Sequence, residues 1–382
     1  MKNQQASRQS APLRRWWEKT VSGRDTSPLT TASRLLLQAA SALYWLGIKG
    51  NLLLYISGLK RRTTPMLPVI SIGNLTMGGT GKTTATAFLA GRLCQAGLRP
   101  GIVLRGYQAQ TGREPVILYD DPASKRRDTT VTGDEASLLS QMLPGVPVAV
   151  GKRRETVIAR LAQDTNANIV ILDDGFQYFR MDRFTDIVLI DATVDMSHQQ
   201  LFPAGYLREP LTHLRRADQI WFTHSDLADP AQLSRLKDNL RQIASGLPIV
   251  ETKHQITNLR LVNGQSVELE KIRARRVLAV SAIGNPESFE QSLRQLGAAV
   301  TGLRYDDHHY YTARDLQEIA AAAHAQQAEF VAITAKDAVK WPDQELDMPV
   351  IVVECQLQII SGEEMISEVI ERARQAIGEH YD

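Results

Sequence analysis

With 382 residues the chain can bury a large core and has room for about two domains, and its 43% hydrophobic and 23% charged residues exclude a disordered or low-complexity protein. Only two cysteines occur, Cys94 and Cys355, which excludes a disulfide framework or a cysteine-rich metal cluster and points to a reducing, cytoplasmic setting. The net charge of +2 conceals an asymmetry: residues 1–62 hold eleven Lys or Arg against Glu18 and Asp25, so this basic terminus calls for an anionic partner, membrane or nucleic acid.

In chain order, residues 1–33 read as a mobile, basic leader. From Leu35 to Ile48 no charge interrupts an apolar run, and Lys49, Leu52 to Leu59 and Lys60-Arg61-Arg62 follow it. That run is short of the roughly 20 apolar residues a spanning helix needs. Gln38, Ser41, Trp45 and Lys49 recur at helical spacing as a narrow polar stripe. Trp16, Trp17, Tyr44, Trp45 and Tyr55 are of the kind that favour lipid headgroups. The expectation is a helix over 34–62 lying in a membrane interface, with a buried core helix as the alternative; no nucleic acid is expected.

Short apolar runs then alternate with helix-like stretches over 63–255. Strands are expected at 68–73, 101–104, 146–150, 169–172, 187–190 and 219–223, and helices at 82–96, 134–142 and 153–164. Most of these strands are apolar on both faces, which suits a parallel sheet between helix layers. Asn263-Gly264, between alternating residues, marks a β-hairpin connector over 256–270. Residues 271–382 read as a smaller α/β unit with strands at 276–282, 299–304 and 329–334 and helices at 286–296 and 312–325. The fold class is therefore α/β: a P-loop NTPase-like, doubly wound, mostly parallel sheet plus a smaller C-terminal α/β domain.

The sharpest motif is Ser71 to Thr84, SIGNLTMGGTGKTT, placed where a strand gives way to a helix. Closely spaced glycines let backbone N–H groups turn inward around phosphate oxygens, and the helix N-terminus adds its positive end. Gly78, Gly79, Thr80, Gly81, Lys82, Thr83 and Thr84 are the candidate nucleotide-binding residues. Lys82 would reach the β- and γ-phosphates of ATP, and the Thr83 hydroxyl would ligate Mg²⁺. Thr76 stands where GxxxxGK[ST] has its first glycine, so the run follows the GGxGKT variant. An apolar strand ending in Asp173-Asp174 supplies candidate metal ligands, only one of which faces the metal if the strand is extended.

The acceptor side is less sharply marked. Gly133-Asp134-Glu135 precedes a helix, so Asp134 is either an N-cap or a proton acceptor. Asp306-Asp307-His308-His309 offers a proton-shuttling pair, with metal binding a weaker option. Arg105-Gly106-Tyr107, Lys152-Arg153-Arg154 and Tyr206 to Pro210, with Arg208 and Glu209, lie in loops after strands, where ligands of open α/β sheets sit.

Taken in order, GNLTMGGTGKT, VLRGY, TGDEASLL, GKRR, ILDDGFQ, LFPAGYLREPL, AIGNPESF, YDDHHYYT and TAKDAVK resemble the tetraacyldisaccharide 4′-kinases of lipid A biosynthesis over nearly the whole length. The resemblance implies Mg²⁺-dependent transfer from ATP to the 4′-hydroxyl of a glycolipid, at the cytoplasmic face of the inner membrane. It implies a catalytic pair, Asp134 as base and His308 as tuning or relay group, with Lys82 on the phosphates. Departures are Thr84 for proline, Leu104 and Gln108 within VLRGYQ, Ala136, Ala335, and Tyr178 where the family carries histidine. The other readings are a silent nucleotide- and lipid-binding paralogue and a membrane-associated switch ATPase, though the latter usually has Lys where Met77 stands.

Overall fold

The computed structural model describes residues 16–21, 27–106, 115–118, 132–196, 199–344 and 346–381. Most of the expected leader, together with Tyr107 and Gln108, lies outside the described residues. After a helical turn at 16–21, helix α1 runs Pro28–Ile56, opened by Ser27 as N-cap and by Pro28 in the first turn.

The strands are β1 Val69–Asn74, β2 Pro100–Leu104, β3 Val116–Leu118, β4 Val148–Val150, β5 Ile169–Asp173, β6 Thr185–Asp191, β7 Gln219–Thr223, β8 Ile249–Leu261, β9 Ser266–Val267, β10 Arg276–Ser281, β11 Ala299–Arg304, β12 Phe330–Thr334 and β13 Val350–Ser361. Helices between them are α2 Lys82–Gln95, α3 Asp134–Met142, α4 Arg154–Asp164, α5 Pro230–Ile243, α6 Pro286–Gln295, α7 Ala313–Ala325, α8 Ala335–Ala338 and α9 Glu363–Tyr381. Among the described residues the strands join one sheet in the order β11-β10-β12-β13-β8-β7-β6-β1-β5-β2-β4-β3, with β9 on β8. Pairing is parallel except at β13/β8, β8/β9 and β3/β4.

The all-apolar strands are buried on both faces, as a parallel sheet under two helix layers requires. In β5, Ile169 and Ile171 point into one core with Ile70, Leu89 and Leu93, while Val170 and Leu172 join Val103, Ile158 and Leu161 on the other face. The expected hairpin is present, turning at Gly264 (φ +94°) between β8 and β9, yet β9 is two residues long. The main partner of β8 is β13, paired from Ile351↔Leu261 to Ser361↔Glu251.

That pairing dictates the cleft. The larger stack attaches to the start of β8, through Ile220↔Ile249 to Phe222↔Glu251. The smaller stack attaches to the start of β13, through Val331↔Val350 to Thr334↔Val353. The two attachment points lie at opposite ends of an antiparallel ribbon, roughly 25 Å apart at strand rise. Each stack therefore aims the carboxyl ends of its strands at the middle of the ribbon, and the two sets of loops face each other.

After the ribbon the chain re-enters the larger unit. Ile366, Val369, Ile370 and Ala373 of α9 pack in the same core as Ile70, Ile72 and Leu89, although a division at 270/271 would assign them to the smaller one. Gln219 Nε2 donates to Met365 O at 2.9 Å and Arg372 Nη1 to Asp218 at 3.0 Å, fastening the helix. Ile366 is fully buried. Ile366→Ala should cost about 2–5 kcal/mol in denaturant unfolding and loosen the nucleotide-binding half, hundreds of residues away in sequence.

Candidate active site

Beta strand β1 ends at Asn74, whose Nδ2 donates to Thr76 O at 2.8 Å and Thr80 Oγ1 at 3.0 Å, holding the two ends of the phosphate loop together. Gly78 (φ +116°) and Gly81 (φ +78°) take backbone shapes that side chains resist. Gly81 has a second constraint: a Cβ there would sit 2.7 Å from His254 Cε1. His254 is on the middle of the ribbon, and burial pushes its imidazole down to about 3, so it underpins the loop as a neutral ring. The N-terminus of α2 has no side-chain cap and no acidic residue in its first turn, which leaves its N–H groups for an anion. Thr83 and Thr84 lie half-buried in that turn.

The two aspartates of the DD motif have different surroundings. Asp174, at φ +54°, accepts from Arg208 Nη1 at 3.0 Å on both oxygens and lies 3.6 Å from Lys82 Nζ. Burial works to raise its pKa, but Lys82 and Arg208 outweigh it and hold the carboxyl below the usual range. Asp173 is buried with Oδ1 unpartnered; burial and then the Glu135 charge push its carboxyl above the usual range. A buried carboxylate oxygen lacking a partner fits a cation, so the residues present suit a metal held by Asp173 and Thr83.

Asp134 is the first residue of α3, after Gly133 as N-cap, and its Oδ1 accepts from Glu135 N at 2.9 Å. Its Oδ2 is 2.9 Å from His308 Nδ1 and 3.3 Å from the Nζ of Lys340, whose side chain is wholly buried. Burial favours the neutral acid, but the His308 hydrogen bond with the Lys336 and Lys340 charges drives the carboxyl well below its usual range. His308 is held at φ +63°, and its Nε2 faces Lys336 Nζ at 3.4 Å and Asp307 at 3.7 Å. The expected pair is thus adjacent across the cleft, and Lys336 and Lys340 join it. The rule that singles out Asp173, a charge at a parallel strand's carboxyl end, applies equally to Lys336, two residues past β12.

Of the basic candidates, Arg208 reaches Asp174, whereas Arg105 and Arg153 are exposed. In the GKRR run it is Arg154 that turns inward: buried, 4.7 Å over the Tyr178 ring, and within the field of Asp174. Tyr178 donates from its hydroxyl to Glu155 Oε2 at 2.8 Å, so in place of histidine it supplies a platform under Arg154. Glu209 is buried, with Oε2 held by His213 and Arg216, both at 2.6 Å, and Oε1 without a partner.

The loop after β10 closes the other side. Gly284 lies so near Gly79 that a Cβ on Gly284 would collide with the Gly79 backbone nitrogen. Asn285 Nδ2 donates to Asp191 Oδ2 at 2.7 Å, and His224 Nδ1 lies 3.2 Å from the same oxygen. A cavity of about 580 Å³ opens between them, lined by the phosphate loop, Asp191, Asp229, Gln232 and Asn285, a size that suits a nucleoside.

The sequence profile of the tetraacyldisaccharide-1-P 4′-kinase family matches residues 33–374. A tetraacyldisaccharide 4′-kinase of Anaeromyxobacter sp. strain Fw109-5 is 35% identical over 363 residues, 94% of this chain and 95% of its own. That of Elusimicrobium minutum is 35% identical over 336 residues, 87% of each chain. A crystal structure of LpxK from Aquifex aeolicus in complex with ATP superposes with a TM-score of 0.69 at 26% identity, covering 89% of this chain and 99% of that one.

Two outcomes are expected. Gly284→Ala should lift the loop off Gly79 and raise the KM for ATP at least several-fold, read by initial rates against ATP. Asp191 has its pKa lowered to about 2, because His224 and Thr193 outweigh a burial that would raise it. A depressed acid stabilises the fold above its unfolded pKa and loses that contribution as pH falls through the folded value. The stability difference between wild type and Asp191→Asn should therefore shrink by ~2 kcal/mol between pH 5 and pH 2 in urea unfolding.

Proposed function

The chain belongs to the tetraacyldisaccharide-1-P 4′-kinase family, and from that premise we infer that it transfers the γ-phosphoryl group of ATP to the 4′-hydroxyl of a tetraacyldisaccharide 1-phosphate. The observation that carries this reading is the Asp134–His308 contact at 2.9 Å, which sets a carboxylate from one half beside an imidazole from the other in the cleft of the phosphate loop.

In this reading the amides of Gly78 to Gly81 and the N-terminus of α2 cradle the phosphates, Lys82 balances the β- and γ-oxygens, and the nucleoside occupies the cavity beside Asn285. Mg²⁺ would be held by Thr83 and Asp173, and when bound it supplies positive charge to the transferring phosphoryl oxygens. Asp174 instead anchors Lys82 and Arg208. The 4′-oxygen bonds to the γ-phosphorus as the bond to the β–γ bridging oxygen breaks, and the hydroxyl proton passes to Asp134. A carboxylate held so far down is a weak base. It suffices because a loose transition state keeps the hydroxyl proton until late, so orienting the nucleophile matters more than basicity. His308, with Lys336 behind it, fixes that carboxylate and shares the arriving proton. Arg105 and Arg153 are free to meet the acceptor's 1-phosphate.

Helix α1 presents the glycolipid's membrane. Among the described residues no helix is long and apolar enough to cross one. Thr30, Arg34, Leu37, Ser41, Ile48, Leu52 and Tyr55 recur as its less exposed side, while Leu35, Leu36, Leu43, Leu46 and Leu53 are each more than half exposed. The face of leucines with basic flanks suits an anionic interface at the cytoplasmic side, where ATP is available. Of the expected polar stripe, Ser41 turns toward the protein, while Gln38, Trp45 and Lys49 remain exposed.

Purified protein with γ-labelled ATP, Mg²⁺ and tetraacyldisaccharide 1-phosphate in detergent micelles should move label into lipid. Asp134→Asn should lower kcat by about 10²–10⁴. Chelating divalent cations should abolish transfer. ATP binding without label in lipid would sink the reading.

A further inference from the structure

Three carbonyls of one short loop, 201–208, accept hydrogen bonds from the two N-terminal helical segments. Trp17 Nε1 donates to Pro203 O at 2.6 Å, Ser41 Oγ to Leu201 O at 2.9 Å, and the Tyr44 hydroxyl to Arg208 O at 3.0 Å. The Phe202 ring sits between Tyr44 at 5.7 Å and Trp17 at 6.1 Å.

The other edge of this loop is the phosphate loop. Met77 N donates to Tyr206 O and Arg208 N to Leu75 O, both at 2.7 Å. Arg208 continues to Asp174, and Asp174 to Lys82. One segment of chain thus touches the lipid-facing helix on one side and the nucleotide site on the other.

We propose that a lipid surface is a positive effector of nucleotide binding, acting through loop 201–208; this rests on the membrane reading of α1 given above. A surface shifts an equilibrium only if it contacts one state better than the other. Here it does. Phe202 is 37% exposed while its ring packs on Trp17 and Tyr44, the chain neighbours of exposed Trp16, Leu43 and Trp45, so lipid touches helix and loop together only while the helix is docked. Docking holds the Leu201, Pro203 and Arg208 carbonyls, which fixes Tyr206 and Arg208 against Leu75 and Met77 and keeps Arg208 on Asp174. The coupling is reciprocal, so bound nucleotide tightens the chain's hold on the surface.

The test measures the Kd of a non-transferable ATP analogue on the full chain, without acceptor, with and without phosphatidylcholine vesicles containing one-third phosphatidylglycerol. Co-sedimentation with the vesicles is scored separately. For wild type, vesicles should lower the Kd by about fivefold or more, the range of ordinary allosteric couplings. The double variant Ser41→Ala, Tyr44→Phe keeps the leucine face and the ring packing. It should sediment as wild type does and bind nucleotide in water within about twofold of it, yet lose the vesicle effect. Wild type that sediments with an unchanged Kd overturns the proposal and leaves the membrane reading intact. Full vesicle response in the double variant overturns the route through the loop. Wild type that stays in solution overturns the membrane reading and this proposal with it.

Discussion

Everything in the cleft depends on one antiparallel pairing, β8 against β13. Parallel stacks have a direction, and their ligand-bearing loops gather at the carboxyl ends of the strands. Two such stacks placed side by side in one continuous parallel sheet would aim their loops the same way and never oppose them. Attached to opposite ends of an antiparallel ribbon, they must aim their loops at each other. Asp173 at the end of β5, Asp191 at the end of β6 and Thr223 at the end of β7 come from one side. Asn285 and His308 in the loops after β10 and β11, and Lys336 in α8 after β12, come from the other.

The seam so formed is populated by buried charge. Asp134, Lys340 and Asp337 are nearly sealed from solvent, and Lys336 ties Glu135 to Asp307. Removing one member of a buried ionic group strands its partners and is far costlier than losing an exposed pair. The cluster therefore does two things at once: it holds Asp134 ionised and orients His308. That makes the proposed catalytic geometry part of the interface between halves. At Gly79 and Gly284 the backbones of the two halves lie so close that there is no room for a side chain between them.

Local chemistry was legible from residues alone. The phosphate loop and the strand ending in Asp173 sit where motif and strand-end reasoning put them, whereas the residues alone left Asp134 open and only the family resemblance implied its pairing with His308, 2.9 Å away. What escaped was whatever depends on contacts distant in sequence. Nothing in residues 350–361 names residues 251–261 as their partner, because a ladder's register is set by tertiary contacts. The same holds for which arginine of Lys152-Arg153-Arg154 turns inward, since Arg153 is the helix's N-cap and Arg154 its first residue. Glu209 is polar and follows a strand, yet one of its oxygens is taken by His213 and Arg216, a contact that only the fold sets. The choice between Asp173 and Asp174 likewise turns on Arg208, which lies 34 residues further along the chain.

The return of α9 to the first core bears on how the molecule comes into being. During synthesis the phosphate loop and most of its sheet leave the ribosome early, but the helix that seals Ile70, Ile72 and Leu89 follows some three hundred residues later. Domains commonly fold as units in the order they emerge. This nucleotide-binding half cannot, because its interior stays open until residues 363–381 are free to dock. The intervening 276–361 segment must therefore fold as an excursion from an unfinished neighbour. A chain that stalls within it exposes an apolar groove rather than a premature kinase.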